Sequence, residues 1–177
     1  MRKLRMSELN RLSNEEFKKA DKHPVVVVLD NVRSVLNVGS VFRTSDAFKI
    51  TAIHLCGLTA TPPNREMNKT ALGATESVNW AHFENTEDSI KALKTEGFSV
   101  FALEQTEGAQ LLSDFSASNF EKIALVFGNE VMGVSESALA LCDGVIEIPQ
   151  FGTKHSINIS VSAGIAIWHV VQPYLNE

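Results

Sequence analysis

Cysteine is scarce in this chain and long apolar runs are missing, and each shortage excludes a class of protein. Only Cys56 and Cys142 occur, far apart and without paired spacing, so neither a disulfide framework nor a zinc site is indicated. No apolar run reaches the roughly 20 residues that span a bilayer. Residues 1–12 (M-R-K-L-R-M-S-E-L-N-R-L) lack the apolar core of a secretory signal. The expectation is a cytoplasmic protein that meets no membrane and binds no metal. Phosphate cradles are also missing: no G-x-G-x-x-G follows the first strand and no G-x-x-x-x-G-K-[ST] occurs. There is no G-x-S-x-G nucleophile elbow. The histidines (His23, His54, His82, His155 and His169) show no ligand spacing. His155 precedes Ser156, but sequence neighbours seldom aim their side chains at each other, so a Ser–His pair is disfavoured.

What is present is enough for one compact domain with a full core: 177 residues, 44% hydrophobic and 21% charged. A net charge of −5 argues at first against nucleic acid. The distribution qualifies that. Residues 1–22 hold seven basic side chains against four acidic ones, whereas residues 84–121 hold eight acidic ones against Lys91 and Lys94. One region can meet phosphate and the other cannot, although ordinary solvated helix faces explain both equally well.

Along the chain, residues 7–20 read as a short amphipathic helix with capping-box spacing at Ser13 and Glu16, and with Leu9, Leu12, Phe17 and Ala20 as its apolar side. Residues 25–29 are an unbroken β-branched run, as in a strand covered on both faces. In the next segment Val38, Val41, Phe42 and Ser45 share one helical face and Arg43 points elsewhere. Further strands are expected at 52–57, 78–83 (an edge), 98–103, 123–127 and 145–148, with helices at 65–74, 86–96 and 135–141. About six strands alternating with helices imply a Rossmann-like α/β fold with a parallel sheet. Residues 156–168 are ambiguous. Ile157, Ile159 and Val161 alternate like a strand, whereas Ile157, Val161, Ile165 and Trp168 make a helical stripe; length favours a helix.

Three polar loops follow apolar strands, at 31–43, 128–135 and 150–158. In an open α/β sheet such loops converge on one pocket beyond the strands' carboxyl ends. That pocket would contain Asn37, Arg43, Asn129, Glu130, Ser156 and Asn158. Taken singly, each has a plainer reading: Asn158 and Ser156 as helix caps, Glu130 as a helix-start carboxylate, Arg43 as a surface residue.

Together the loops resemble a known family. N-V-R-S-V-L-N-V-G-S-V-F-R-T-S-D-A, L-V-F-G-N-E-V-M-G-V-S and I-P-Q-F-G-T-K-H-S-I-N-I-S-V-S-A-G-I-A are similar to the three motifs of the SpoU (TrmH-type) RNA ribose methyltransferases of the SPOUT superfamily, in order. The resemblance runs from Pro24 to Trp168. It leaves residues 1–22 as a short basic helical extension before a domain at 23–177.

The resemblance implies a C-terminal deep trefoil knot, which no general rule of topology would predict, and a homodimer. It implies S-adenosylmethionine held at Gly128, Ile148 and Ile157, with Leu103 on the adenine side. The implied reaction is methyl transfer to a ribose 2′-hydroxyl, with Arg43 and Asn37 activating the hydroxyl, Ser156 and Asn158 orienting ribose or loop, and Glu130 fixing the fold through backbone N–H bonds. Single-domain members often act on tRNA, so tRNA is the expected substrate and rRNA the alternative. Arg33, Arg65, Lys69 and Lys154 are the expected phosphate contacts. The rival readings are an RNA-binding protein without catalysis and a Rossmann enzyme using a nucleotide cofactor.

Overall fold

Val25, Val27 and Leu29 face one side of the central strand and Val26 and Val28 the other, and all five are buried. That two-sided burial is why an uninterrupted apolar run forms β1 (His23–Asp30) rather than an alternating strand. The computed structural model describes residues 1–176; Glu177, the last residue of the expected domain, lies outside the described residues.

β1 pairs in parallel with β2 (Ile50–Cys56) on one side and β6 (Ile123–Phe127) on the other. The sheet continues outward to β3 (Asn79–Phe83) beyond β2. Beyond β6 come β4 (Ser99–Leu103), β7 (Gly144–Glu147) and β5 (Gln110–Leu111). Among the described residues seven parallel strands run in the order β3-β2-β1-β6-β4-β7-β5. The sequence led to about six strands. The additional one is β5, whose two residues are both exposed, too short to show any periodicity. β3 lies at an edge, as expected.

One core packs α2 (Val35–Ala47), α3 (Arg65–Ala71), α4 (Ala74–Ser77) and α7 (Ile159–Val171) against the Val25/Val27/Leu29 face. The other packs α5 (Thr86–Thr95) and α6 (Glu136–Leu139) against the Val26/Val28 face. The approach of α2 to α3 depends on Gly39, where a Cβ would lie 2.3 Å from both Met67 O and Thr70 Oγ1. No helix among the described residues is long and apolar enough to cross a membrane.

One helix is shorter than expected, and another, a helix as expected, buries a different face. The first helix, α1, covers only Asn14–Lys19, because the capping box at Ser13 and Glu16 starts it there. Residues before Ser13 are therefore outside it: Leu9 and Leu12 are exposed and Phe17 alone of the expected stripe enters the core. At the other end, 159–171 is a helix despite its strand-like alternation, since Asn158 caps it by accepting from Ser160 N at 2.8 Å. Its buried face is Ile159, Ala163, Ala166, Ile167 and Val170, so the stripe read from sequence, Val161, Ile165 and Trp168, points outward.

Candidate active site

The carboxyl ends of β4, β6 and β7 open onto two adjoining hollows of about 110 and about 480 Å³, which share Leu103, Glu104, Ser156, Ile157 and Ser162. The smaller adds Ile148, Gln150 and Glu147; the larger adds Gly128, Asn129, Glu130, His155 and Asn158. All four residues expected around the cofactor, Leu103, Gly128, Ile148 and Ile157, therefore line one continuous space. Glu104, Glu147 and Glu130 border it, and among the described residues no Lys or Arg lines either hollow. Such a surface repels phosphate and favours a phosphate-free, cationic or neutral nucleoside.

Beside the larger hollow the three loops are joined by side-chain hydrogen bonds. Asn158 Nδ2 donates to Asn37 Oδ1 at 3.3 Å, and Asn37 Nδ2 donates to Glu130 Oε1 at 3.2 Å. The Glu130 carboxylate also accepts the backbone N–H groups of Arg33 and Ser34, each at 3.0 Å. Partial desolvation raises the Glu130 pKa, but these N–H bonds and the Asn37 amide outweigh it and hold the group below its ordinary 4.5. It is an anionic clamp between the loop after β1 and the loop after β6. Asn158 has two jobs at once, helix cap and donor to Asn37.

The clamp depends on a tight turn. Asn129 and Gly133 exchange both backbone hydrogen bonds at 2.9 Å, and Asn129 Oδ1 accepts from Val131 N at 2.8 Å. A Cβ at Gly128 would lie 2.0 Å from the Gly133 carbonyl carbon, so only glycine fits there. Asn129 Nδ2 completes the link by donating to Asn31 O at 2.8 Å.

Arg43 stands apart. From Val35 to Arg43 is eight residues, about 12 Å down α2 at the usual helical rise. Its side chain lines a separate hollow with Asn14, Asp46, Leu72 and Ser77. Within one chain, Arg43 does not meet Asn37, Glu130, Ser156 and Asn158. Of the expected phosphate contacts, Arg33 and Lys154 are exposed at the rim. Arg65 and Lys69 are exposed on α3, whose Thr70 donates to Leu36 O at 2.8 Å and so holds that helix against the first turn of α2. Lys69 is ion-paired with Glu66 at 2.7 Å.

The model of the SpoU rRNA methylase family matches residues 24–168, most of the chain. The chain belongs to this family. A tRNA (guanosine(18)-2′-O)-methyltransferase of Thermus thermophilus is 33% identical over 163 residues, which span 92% of this chain and 81% of the relative. The 23S rRNA (guanosine-2′-O-)-methyltransferase of Neisseria meningitidis serogroup B is 29% identical over 144 residues, 81% of this chain but 56% of that enzyme. An AdoMet-bound rRNA methyltransferase from Sinorhizobium meliloti superposes with a TM-score of 0.81 at 26% identity, covering 90% of this chain and 60% of that one.

Two carboxylates escaped the sequence reading, one buried behind this SpoU-family site and one bordering it. Asp30, 1% exposed at the end of β1, accepts from Thr86 Oγ1 at 2.6 Å, Asn31 Nδ2 at 2.8 Å and Ser135 N at 2.8 Å. Glu104 accepts from Gln105 N at 2.8 Å and Val134 N at 3.0 Å and borders both hollows. Each follows directly on an apolar strand run, at the edge where ligands bind. That position was the available signal.

Proposed function

We propose that this chain is an S-adenosylmethionine-dependent RNA methyltransferase that acts on a ribose 2′-hydroxyl, with tRNA as its substrate. The observation that carries the reading is the conjunction, in a SpoU-family chain, of a phosphate-repelling hollow with the Asn158–Asn37–Glu130 hydrogen-bonded line beside it. The match spans 81% of the tRNA enzyme's own length against 56–67% of the 23S rRNA enzymes', which favours tRNA. rRNA is the second reading, favoured by the rRNA relative's match to 81% of this chain.

The lining fits the cofactor. Leu103, Ile148 and Ile157 offer apolar surface to an adenine, Gly128 lets the backbone approach, and the carboxylates nearby suit a sulfonium and an ammonium group. S-adenosylmethionine, when bound, supplies a methyl group on a positively charged sulfur. The chain's own task is alignment, since holding two reactants in reacting geometry removes about 7–11 kcal/mol from a barrier. Ser156 and Asn158 orient the ribose or its loop, and Asn37 is held in register by Glu130. Arg43 carries a planar guanidinium that can fork onto two oxygens at once. Its role is to bridge the neighbouring phosphate and the alkoxide that develops as the hydroxyl proton leaves to that phosphate or to water.

A homodimer reconciles this role with the position of Arg43. Val161, Ile165 and Trp168 leave an apolar stripe exposed on α7, and Trp168 lies 5.6 Å from Phe48 at the end of the helix that carries Arg43. A second copy covering this stripe would bring an Arg43 that one chain does not deliver to its own hollow. The deep trefoil knot at the C-terminal segment is proposed on family membership. So are a cytoplasmic location and a division into a basic helical extension at 1–22 and a methyltransferase domain at 23–177. Arg33, Arg65, Lys69 and Lys154 are the phosphate contacts.

Calorimetry separates this from its rivals. S-adenosylhomocysteine binds, NAD and ATP do not, and Arg43→Ala binds it as wild type does while losing methylation. Tight binding of NAD or ATP with none of S-adenosylhomocysteine would refute the reading.

A further inference from the structure

The loop from β7 to α7 displays Phe151 at 97% exposure, with no ring partner among the described residues. A single exposed apolar residue is unremarkable in itself. Its surroundings are not. Gln150 just before it lines the smaller hollow, and His155 and Ser156 just after it line the larger one. The turn after β6, which lines the larger hollow through Val131, exposes Val131 (73%) and Met132 (82%). Two of the loops that form the hollow thus each expose an apolar tip. Gly152 meets nothing within 4 Å of where a Cβ would be, so the space beside Phe151 is open. Lys154 is exposed three residues on and makes no hydrogen bond or ion pair among the described residues.

We infer that Phe151 is a stacking platform for an unpaired base of the substrate RNA, with Val131 and Met132 closing the other side and Lys154 taking the adjacent phosphate. The inference rests on the RNA-methyltransferase reading and deepens it by naming the substrate class, a nucleotide in a single-stranded loop rather than in a helix. A ribose entering the hollow carries its base with it, and a base released from pairing presents a π face that an aromatic ring accepts whatever its identity. Phosphate cannot follow the ribose inward, because Glu104, Glu130 and Glu147 border the interior. The backbone must stay on the rim, where Lys154 and Arg33 are. An aromatic ring on the lip with a lysine three residues away matches that division, and a protein partner would have no need of the acidic hollow behind it.

The test measures fluorescence anisotropy of a labelled single-stranded oligouridylate, and of a duplex of equal length, with wild type, Phe151→Ala and Phe151→Trp. Calorimetry with S-adenosylhomocysteine and gel filtration accompany each protein. Expected are a preference of wild type for the single strand, a loss of about tenfold in its affinity for Phe151→Ala, and recovery in Phe151→Trp. S-adenosylhomocysteine affinity and oligomeric state stay unchanged. Unaltered single-strand binding by Phe151→Ala overturns the inference. So does a parallel fall in S-adenosylhomocysteine affinity, which would place the ring over the cofactor, or a change in oligomeric state, which would place it in an interface between copies. Failure of the wild type to bind S-adenosylhomocysteine or to methylate bulk tRNA or rRNA refutes the underlying reading instead.

Discussion

Replacing Gly128 by alanine should damage fold and site together. The new Cβ would sit 2.0 Å from Gly133 C, 2.1 Å from Val134 N and 2.3 Å from Gly133 O, where ordinary contact begins at 3.4 Å. All three obstacles are backbone atoms, so no rotamer change relieves the overlap, and the 129–133 turn must move by about an ångström. That movement breaks the paired 2.9 Å bonds between Asn129 and Gly133 and shifts Glu130 away from Arg33, Ser34 and Asn37. Overpacking costs about 1–3 kcal/mol, and two backbone hydrogen bonds add about 1 kcal/mol each. The total of about 3–5 kcal/mol corresponds to a Tm lowered by roughly 10 °C in a chain of this size. Scanning calorimetry measures the shift, and titration with S-adenosylhomocysteine should show that affinity has collapsed as well. A variant that melts within about 2 °C of wild type and binds with unchanged affinity would refute the packing argument.

The same substitution at Gly164 should act oppositely on the isolated chain. It lies within α7 with nothing within 4 Å of a Cβ, so Gly164→Ala should raise chain stability by about 0.5–1 kcal/mol in urea unfolding. If a second copy packs closely there, the dimer should weaken by sedimentation. Glu130→Ala removes the acceptor of two backbone N–H groups and one amide; because the carboxylate is accessible to water, the stability loss should be only about 1–2 kcal/mol, with methylation falling much further. His54 is buried, hydrogen-bonded through Nδ1 to Ser89 Oγ at 2.8 Å, and desolvation lowers its pKa from 6.5 to about 4. The folded state therefore resists a proton that the unfolded state accepts, so stability should be full above pH 6.5 and decline as pH falls toward 4. In urea titrations across that window His54→Gln, which cannot take the proton, should have a shallower pH dependence than wild type.

The sheet was legible because its central strands are apolar without interruption, a pattern that burial on both faces imposes and little else produces. The convergence of three loops followed from strand direction alone. Which face of an element is buried, and which elements its side chains meet, were harder to read. α7 looks like a strand in its first turns because Ser160 and Ser162 alternate with apolar residues; what decides it is the Asn158 cap and a buried face that begins at Ile159. The stripe of Val161, Ile165 and Trp168 has true helical spacing, but spacing cannot say which of two apolar faces meets the core. Arg43 shows the same limit. Its sequence neighbourhood joins it to Asn37, yet they lie six positions apart on the helix, and Arg43 lines a hollow separate from the one lined by Glu130 and Asn158, the partners of Asn37. Asp30 and Glu104 carry the signal of their position at strand ends, but what each holds together shows only once the donors on α5, the β6 turn and the segment after β4 are in place around them.

The Asn158–Asn37–Glu130 line beside an acidic hollow, completed by Arg43, is proposed to serve methyl transfer to a ribose 2′-hydroxyl. Incubation with S-adenosylmethionine carrying a radiolabelled methyl group, together with bulk tRNA or rRNA, followed by nuclease digestion and nucleoside analysis, tests it directly. Label should appear in a 2′-O-methylated nucleoside, strongest from tRNA and absent with Arg43→Ala. Label on a base, or no label in any RNA from a protein that binds the cofactor, would contradict it.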